Sequence, residues 1–381
     1  MRQGIFYSYC KNRHIAYTDK LTIIKNIDMK TKIIATIGPK SESYEELKAM
    51  AEAGLSIARM NFSHCTVEEY NTRKENIQRI NKELGTSVEI LQDLQGPRIR
   101  VGKLPTEGVE LEEGNTYVFS YEQKEYEPGG GIPIDDPYLH IDVKTGEPFY
   151  LANGAMELDI TDVQGSQIHA KVITGGTLFS KKGINVPRTN LTRGGVTEKD
   201  IEDAKFGVAQ GADYIALSFV QSADDINKLR SEFPDKKIKV IAKIERALAL
   251  DNIDEIIEAS DGIMIARGDL GIEIPMEDLP IIQKNLIRHA HWHNKPAIVA
   301  TQMMMTLIDH EHPTRAEVSD VANAVFEGGD AVMLSDETAA GKHPARAVAV
   351  MAKIVKRIED YTARENFFEV ETLGEYKKAK K

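Results

Sequence analysis

Lys243 and Glu245 close the run KVIAKIE two residues apart, so an extended strand aims both side chains to one side. In the next apolar run, GIMIARG, Asp269 follows Arg267 and Gly268 just where the strand pattern ends. A lysine beside two carboxylates suits a divalent cation and a negatively charged substrate. Glu245 and Asp269 are the two oxygen ligands that magnesium commonly takes from protein, leaving its other positions to substrate and water. Lys243 is then a positioned cation for charge spread over a transferring phosphoryl group. Upstream, Arg59, Asn61 and Ser63 share one parity at the end of SIARMNFS, and a guanidinium with two neutral oxygens there favours ion binding over a polar plug. The run VEILQDL brings Asp93, and AIVATQM brings Thr301.

These residues need elements that deliver strand ends to one place. Eight strand-like runs, at 32–38, 56–63, 88–94, 214–220, 239–245, 262–268, 297–303 and 331–337, alternate with helical stretches such as SYEELKAMAEAG and TRAEVSDVANAVFEG, several of which end in glycine. Eight such units predict an α/β fold, a (β/α)8 TIM barrel, in which charges at strand ends converge on one rim. The alternation fails from residue 95 to 187, where short alternating runs such as YVFSY and QIHAKVI and glycine-rich turns read as a small all-β domain inserted after the third strand, placed to act as a lid. The expected organisation is an N-terminal extension (1–28), a first barrel part (29–94), the insertion (95–187), a second barrel part (188–360) and a polar tail (361–381).

With 381 residues, 28% charged and 41% apolar, the composition is that of a globular enzyme. A net charge of −11 without a Lys/Arg stripe excludes a nucleic-acid partner, and no apolar run is long enough to span a bilayer. Two cysteines, Cys10 and Cys65, exclude a disulfide framework and point to the cytoplasm. The first 28 residues lack the continuous apolar segment of a signal peptide. His289 and His293 in HAHWH have ligand-like spacing but no flanking Glu, and read as a solvated helix face. Cys65 reads as a small neutral side chain, and no GxxxxGK[ST] loop exists to hold a nucleotide.

From Lys30 to Ile358 the stretches TKIIATIGPKS, IARMNFSH, LQDLQGPRIR, SKKGIN, FVQSADDI, IAKIE, IMIARGDLGIEIP, ATQMM and PTRAEVSDVANAVFEGGDAVMLSDETAAGK resemble, in order, those of the pyruvate kinase family. The resemblance implies phosphoryl transfer from phosphoenolpyruvate to ADP, giving pyruvate and ATP, the last step of glycolysis. It implies Arg59 on the phosphate, Lys243 on the transferring phosphoryl group, Glu245 and Asp269 on Mg2+ (or Mn2+), and Gly268 and Thr301 on substrate, with Thr301 near the path that protonates the enolate. Arg100 and Lys182 would face the nucleotide.

Three departures accompany it. DLQGPR stands where many members have DTKGPE, so Leu94 replaces Thr and Arg98 replaces a Glu that accompanies bound potassium. Arg98, reaching a pocket of Asn61, Ser63, Asp93 and Leu94, would supply that positive charge and make K+ unnecessary. LSDETA carries Asp336 where the family usually has Gly. The sequence also stops where the family usually continues into a C-terminal effector-binding domain, so a short form is expected, forming homo-oligomers through the barrel near 313–317. Two other readings stand beside this one: a magnesium-dependent lyase or aldolase of related barrels, and a catalytically inactive relative that binds or regulates.

Overall fold

The computed structural model describes residues 29–365, apart from 129, 130, 188, 193 and 236. The expected extension 1–28 and all but the start of the tail 361–381 lie outside the described residues. Eight parallel strands close a barrel: β1 (Lys32–Thr36), β2 (Ile57–Asn61), β3 (Glu89–Asp93), β13 (Tyr214–Leu217), β14 (Val240–Ile244), β15 (Gly262–Ala266), β16 (Ala297–Ala300) and β17 (Ala331–Leu334). Each lies within one of the runs read from the sequence. The strands are shorter than those runs because the trailing residues leave the ladder: Arg267, Gly268 and Asp269 open a short helix, Arg267–Glu273, and Thr301 turns sharply away after β16.

Both faces of these strands are covered, which is why they read as nearly unbroken apolar runs. β14 and β15 are buried at every position. Alternate residues divide between two cores. Ile34, Ile57, Leu91, Ala216, Ile241 and Met264 gather inside the barrel. Their neighbours, such as Ile33, Ala58, Ala242 and Ile263, pack outward against the helices.

Helix starts follow local chemistry. Thr66, Thr197 and Thr314 each cap a helix and exchange bonds with an acid three residues on (Glu69, Asp200, Glu317), satisfying donors that the first turn leaves free. The helix Tyr44–Glu52 runs into Gly54 (φ 114°) and the helix Arg315–Phe326 into Gly328 (φ 97°), which reverse the chain where a Cβ would be strained.

Between β3 and the helix Glu198–Ala209 lie nine strands: β4 (Ile99–Arg100), β5 (Val109–Leu111), β6 (Thr116–Ser120), β7 (Ile132–Pro133), β8 (Pro148–Leu151), β9 (Met156–Gln164), β10 (Gln167–Thr174), β11 (Gly176–Leu178) and β12 (Gly183–Asn185). Seven form a sheet in the order β4-β12-β8-β9-β10-β6-β7, and β11 pairs with β5. Their apolar faces make a separate core in which Phe119 and Phe149 pack as tilted rings with centres 4.9 Å apart. The first and last strands pair with each other, Ile99 opposite Ile184, so the unit begins and ends at one place.

Gly175 is a sensitive joint of this unit. A Cβ there would stand 2.2 Å from the Leu111 carbonyl oxygen, which is fixed by the β5–β11 pairing. Gly175→Ala is expected to destabilise the inserted sheet by about 1–3 kcal/mol, the usual cost of overpacking. A lowered urea midpoint for probes in residues 99–185 is the expected result; an unchanged midpoint would show that the joint relaxes freely.

Candidate active site

Inside the barrel, the position two residues beyond each apolar lumen residue falls on the same face. On β1, β2, β3, β13 and β14, which are neighbours in the ring, that position is Thr36, Arg59, Asp93, Ser218 and Lys243. The strands thus lay a polar arc directly on the apolar lumen. Arg59 Nε donates to Asp93 Oδ2 at 2.6 Å and its Nη1 to Thr36 Oγ1 at 2.8 Å. Lys243 Nζ donates to Ser218 Oγ at 2.7 Å and lies 3.2 Å from Asp93 Oδ1. The Ser218 hydroxyl in turn donates to the Leu94 carbonyl at 2.7 Å.

One step further along the same parity, Glu245 Oε1 lies 3.0 Å from Lys243 Nζ, so the shared side read from their spacing is realised. Glu245 Oε2 accepts from the Phe219 backbone N–H at 2.7 Å. Phe219 adopts a left-handed backbone (φ 55°), a conformation costly for a bulky residue, and its amide is spent on that carboxylate.

These groups set one another's charge. Burial opposes the Asp93 carboxylate, but Arg59 and Lys243 outweigh it and hold its pKa below the ordinary value. Lys243 is likewise disfavoured by burial, yet Asp93 and Glu245 raise its pKa and keep it an ammonium. Glu245 is pushed up by burial, with Asp269 adding repulsion against the pull of Lys243. A buried carboxylate left short of positive charge beside a second carboxylate fits a divalent cation. Among the described residues no group of three or more His, Cys, Asp or Glu surrounds one point, so an ion there would take two protein carboxylates and fill its shell from substrate and water.

Asp269 sits in the first turn of Arg267–Glu273 with its side chain a quarter exposed. The Gly268 N–H donates to Thr301 Oγ1 at 2.6 Å, tying that turn to the end of β16. Thr301 (φ 69°) and Gln302 (φ 53°) are both left-handed, and for a β-branched residue this costs on the order of 1–3 kcal/mol. Arg267 holds them there. Its Nη2 donates to the Thr301 carbonyl at 2.8 Å, while Nη1 and Nη2 grip both oxygens of Asp320 at 2.7 Å.

The proposed monovalent-cation pocket is assembled only in part. Asn61 Oδ1 accepts from the Ser63 N–H at 3.1 Å, Leu94 is buried beside Ser218, and Asp93 is already paired with two cations. Arg98 does not join Asn61 or Ser63 in any described contact. Its Nη2 donates to Asn153 Oδ1 at 2.9 Å and stands 3.8 Å from Asp269 Oδ1. The reason is where it is attached: Arg98 leads into β4 and follows the inserted sheet, which covers the Asp269 side of the mouth. Arg100 Nη1 donates to the Lys181 carbonyl at 3.2 Å, and burial, with the charge of Arg98, lowers its pKa. Lys182 is exposed just ahead of β12. Both belong to the insertion and touch none of the barrel's polar arc in the described contacts.

The histidines behave as a helix face. His289 and His293 both approach Asp254 Oδ1, at 2.9 and 3.4 Å, and His291 bonds Asp330 instead. Burial raises the Cys65 thiol to about 11, in keeping with an unreactive side chain. Asp336 is exposed at the start of a short helix. Thr36, Ser218 and the Phe219 amide were not among the residues singled out in the sequence, although strand parity carried on from Ile34 and Ala216 points to the first two. The Arg267–Asp320 clamp leaves no such signal.

The barrel domain of pyruvate kinase matches residues 28–348. The chain is 47% identical over 335 residues to pyruvate kinase of Thermococcus litoralis, across 87% of this chain and 70% of that protein. It is 47% identical over 335 residues to the enzyme of Geobacillus stearothermophilus, of which it spans 57%. Among solved structures, a pyruvate kinase from Cryptosporidium parvum superposes with a TM-score of 0.84 at 36% identity, covering 87% of this chain and 70% of that one. A family match that spans most of the chain, with a relative 47% identical across 70% of its own length, shows that the chain belongs to the pyruvate kinase family.

Proposed function

We propose that this chain transfers a phosphoryl group from phosphoenolpyruvate to ADP, yielding pyruvate and ATP. The observation that carries the reading is the buried ammonium of Lys243, held between Asp93 and Glu245 beside Asp269 and Arg59 at one barrel mouth. A divalent cation, Mg2+ or Mn2+, on Glu245 and Asp269 would neutralise charge on the phosphoryl oxygens. Lys243 stabilises the same charge from the barrel side, and Arg59, oriented by Asp93 and Thr36, binds the phosphate. The backbone around Gly268 contacts the substrate. Thr301, fixed by Arg267, orients the group that protonates the enolate. Arg100 and Lys182 meet the nucleotide when the insertion closes over the mouth and excludes water.

K+ is not required. Asp93 already pairs with two fixed cations, and Leu94 offers no side-chain oxygen. The enzyme acts in the cytoplasm without nucleic-acid or membrane partners; no helix among the described residues is long and apolar enough to cross a membrane. Copies associate through the barrel face near 313–317, where Val318 is exposed.

A coupled assay of pyruvate formation from phosphoenolpyruvate, ADP and Mg2+, in a buffer free of Na+ and K+, tests this. Turnover that changes less than about two-fold when K+ is restored is expected, since Arg59 and Lys243 already supply Asp93 with fixed positive charge. A several-fold rise would overturn the cation part alone. Absence of pyruvate under either condition would overturn the reaction and favour an inactive relative or a lyase.

A further inference from the structure

We infer that Arg98 is a tethered cation that competes with the divalent metal for Asp269, so that metal binding and the seating of the inserted domain are coupled. This rests on the proposed metal role of Glu245 and Asp269. Three carboxylates face the mouth (Asp93, Glu245, Asp269), against two barrel cations, Arg59 and Lys243. The charge balance is completed from the insertion. Arg98 Nη2 reaches to 3.8 Å from Asp269 Oδ1, an ion pair without hydrogen-bond contact.

The guanidinium is built into that position from two sides. Asn153 Oδ1 accepts from Nη2 at 2.9 Å, and Asn153 stands at φ 60°, left-handed, in a turn with Ala152 at φ 51°. The guanidinium lies over Gly183, where an added Cβ would meet Nε and Nη2 at 3.3 Å. The same turn rests on the element that bears Asp269, for a Cβ on Gly154 would meet Ile272 Cγ2 at 3.4 Å. The insertion therefore touches the Arg267–Glu273 helix both through apolar contact and through charge.

An ion pair with both side chains about a quarter exposed contributes little to stability by itself. Its consequence appears when a divalent ion arrives at the same carboxylate. The ion and the guanidinium repel, and Arg98 gives up Asp269. Released, it remains beside Arg100 on the insertion, close enough for the two positive charges to oppose each other. Linkage makes the effect reciprocal: whatever draws Arg98 off Asp269 tightens the metal, and the metal frees the insertion from one barrel contact.

The test is Mn2+ binding to the full chain without substrate, read from the electron paramagnetic resonance of free Mn2+. Glu245→Gln should abolish binding, and Arg98→Gln should tighten it by about 5- to 10-fold, a modest coupling. Arg98→Lys, which keeps the charge, should remain within about two-fold of the unmodified protein by the same coupling argument. Circular dichroism of each variant checks folding. Loss of binding in Glu245→Gln with unchanged or weaker binding in Arg98→Gln would overturn this inference and leave the metal reading standing. Full binding in Glu245→Gln would overturn both.

Discussion

Glu245→Gln is expected to lower turnover by about 10³-fold or more while the barrel stays folded. A thousand-fold loss corresponds to roughly 4 kcal/mol of transition-state stabilisation, within what a metal ion on a phosphoryl group supplies. Glutamine keeps the volume and can still accept from the Phe219 N–H, so the local backbone is retained. The loss falls instead on charge. Lys243 retains Asp93 and Ser218 as partners, while Asp269 alone is a poor site for a divalent ion. Turnover and circular dichroism of the purified variant check this; near-normal turnover would remove Glu245 from the metal site.

Lys243→Met should be at least as damaging to turnover and, unlike the first, should also cost stability. A positioned cation at a transferring phosphoryl group can contribute about 10³- to 10⁵-fold. Here the same ammonium pairs with Asp93, which also binds Arg59, and is the side-chain cation in contact with Glu245. Removing one member of a buried charge set typically costs about 3–5 kcal/mol, because the remaining charge stays buried. Asp93 keeps Arg59, which places the expected loss at the lower end, on the order of 3 kcal/mol. Thermal unfolding and the coupled assay together test it. A stable protein with full activity would show that Lys243 only fills the lumen.

Much of this was legible because a parallel barrel writes itself simply. Strands covered on both faces become apolar runs, and a charge at the end of such a run has few places to go. Lys243 and Glu245 follow from parity alone, and Asp93 and Arg59 from the same rule on neighbouring strands. What parity cannot convey is register between strands far apart in sequence. Arg59 meets Asp93 because Asn61 pairs with Asp93 across β2 and β3, and Ser218 meets Lys243 because Leu217 pairs with Ala242. Arg98 was misplaced for a related reason. Its neighbours in sequence belong to the barrel mouth, but its direction is set by β4 pairing with β12, more than eighty residues away. The Arg267–Asp320 grip is opaque for the same cause, since it joins the end of β15 to the helix that follows β16.

The pairing of Ile99 with Ile184 has a consequence for how the chain acquires its shape. Barrel closure needs β3 to find β13, Leu91 opposite Tyr214, across the whole insertion. Were that stretch a loose coil, closure would bear the entropy of a very long loop. The insertion has its own core, and its ends are held together, with the Val101 N–H donating to the Lys182 carbonyl at 2.8 Å. Once it has folded, β3 and β13 are joined by what is effectively a short tether, and each halving of effective loop length recovers about 0.6 kcal/mol. The order of events that this favours is insertion first, ring second.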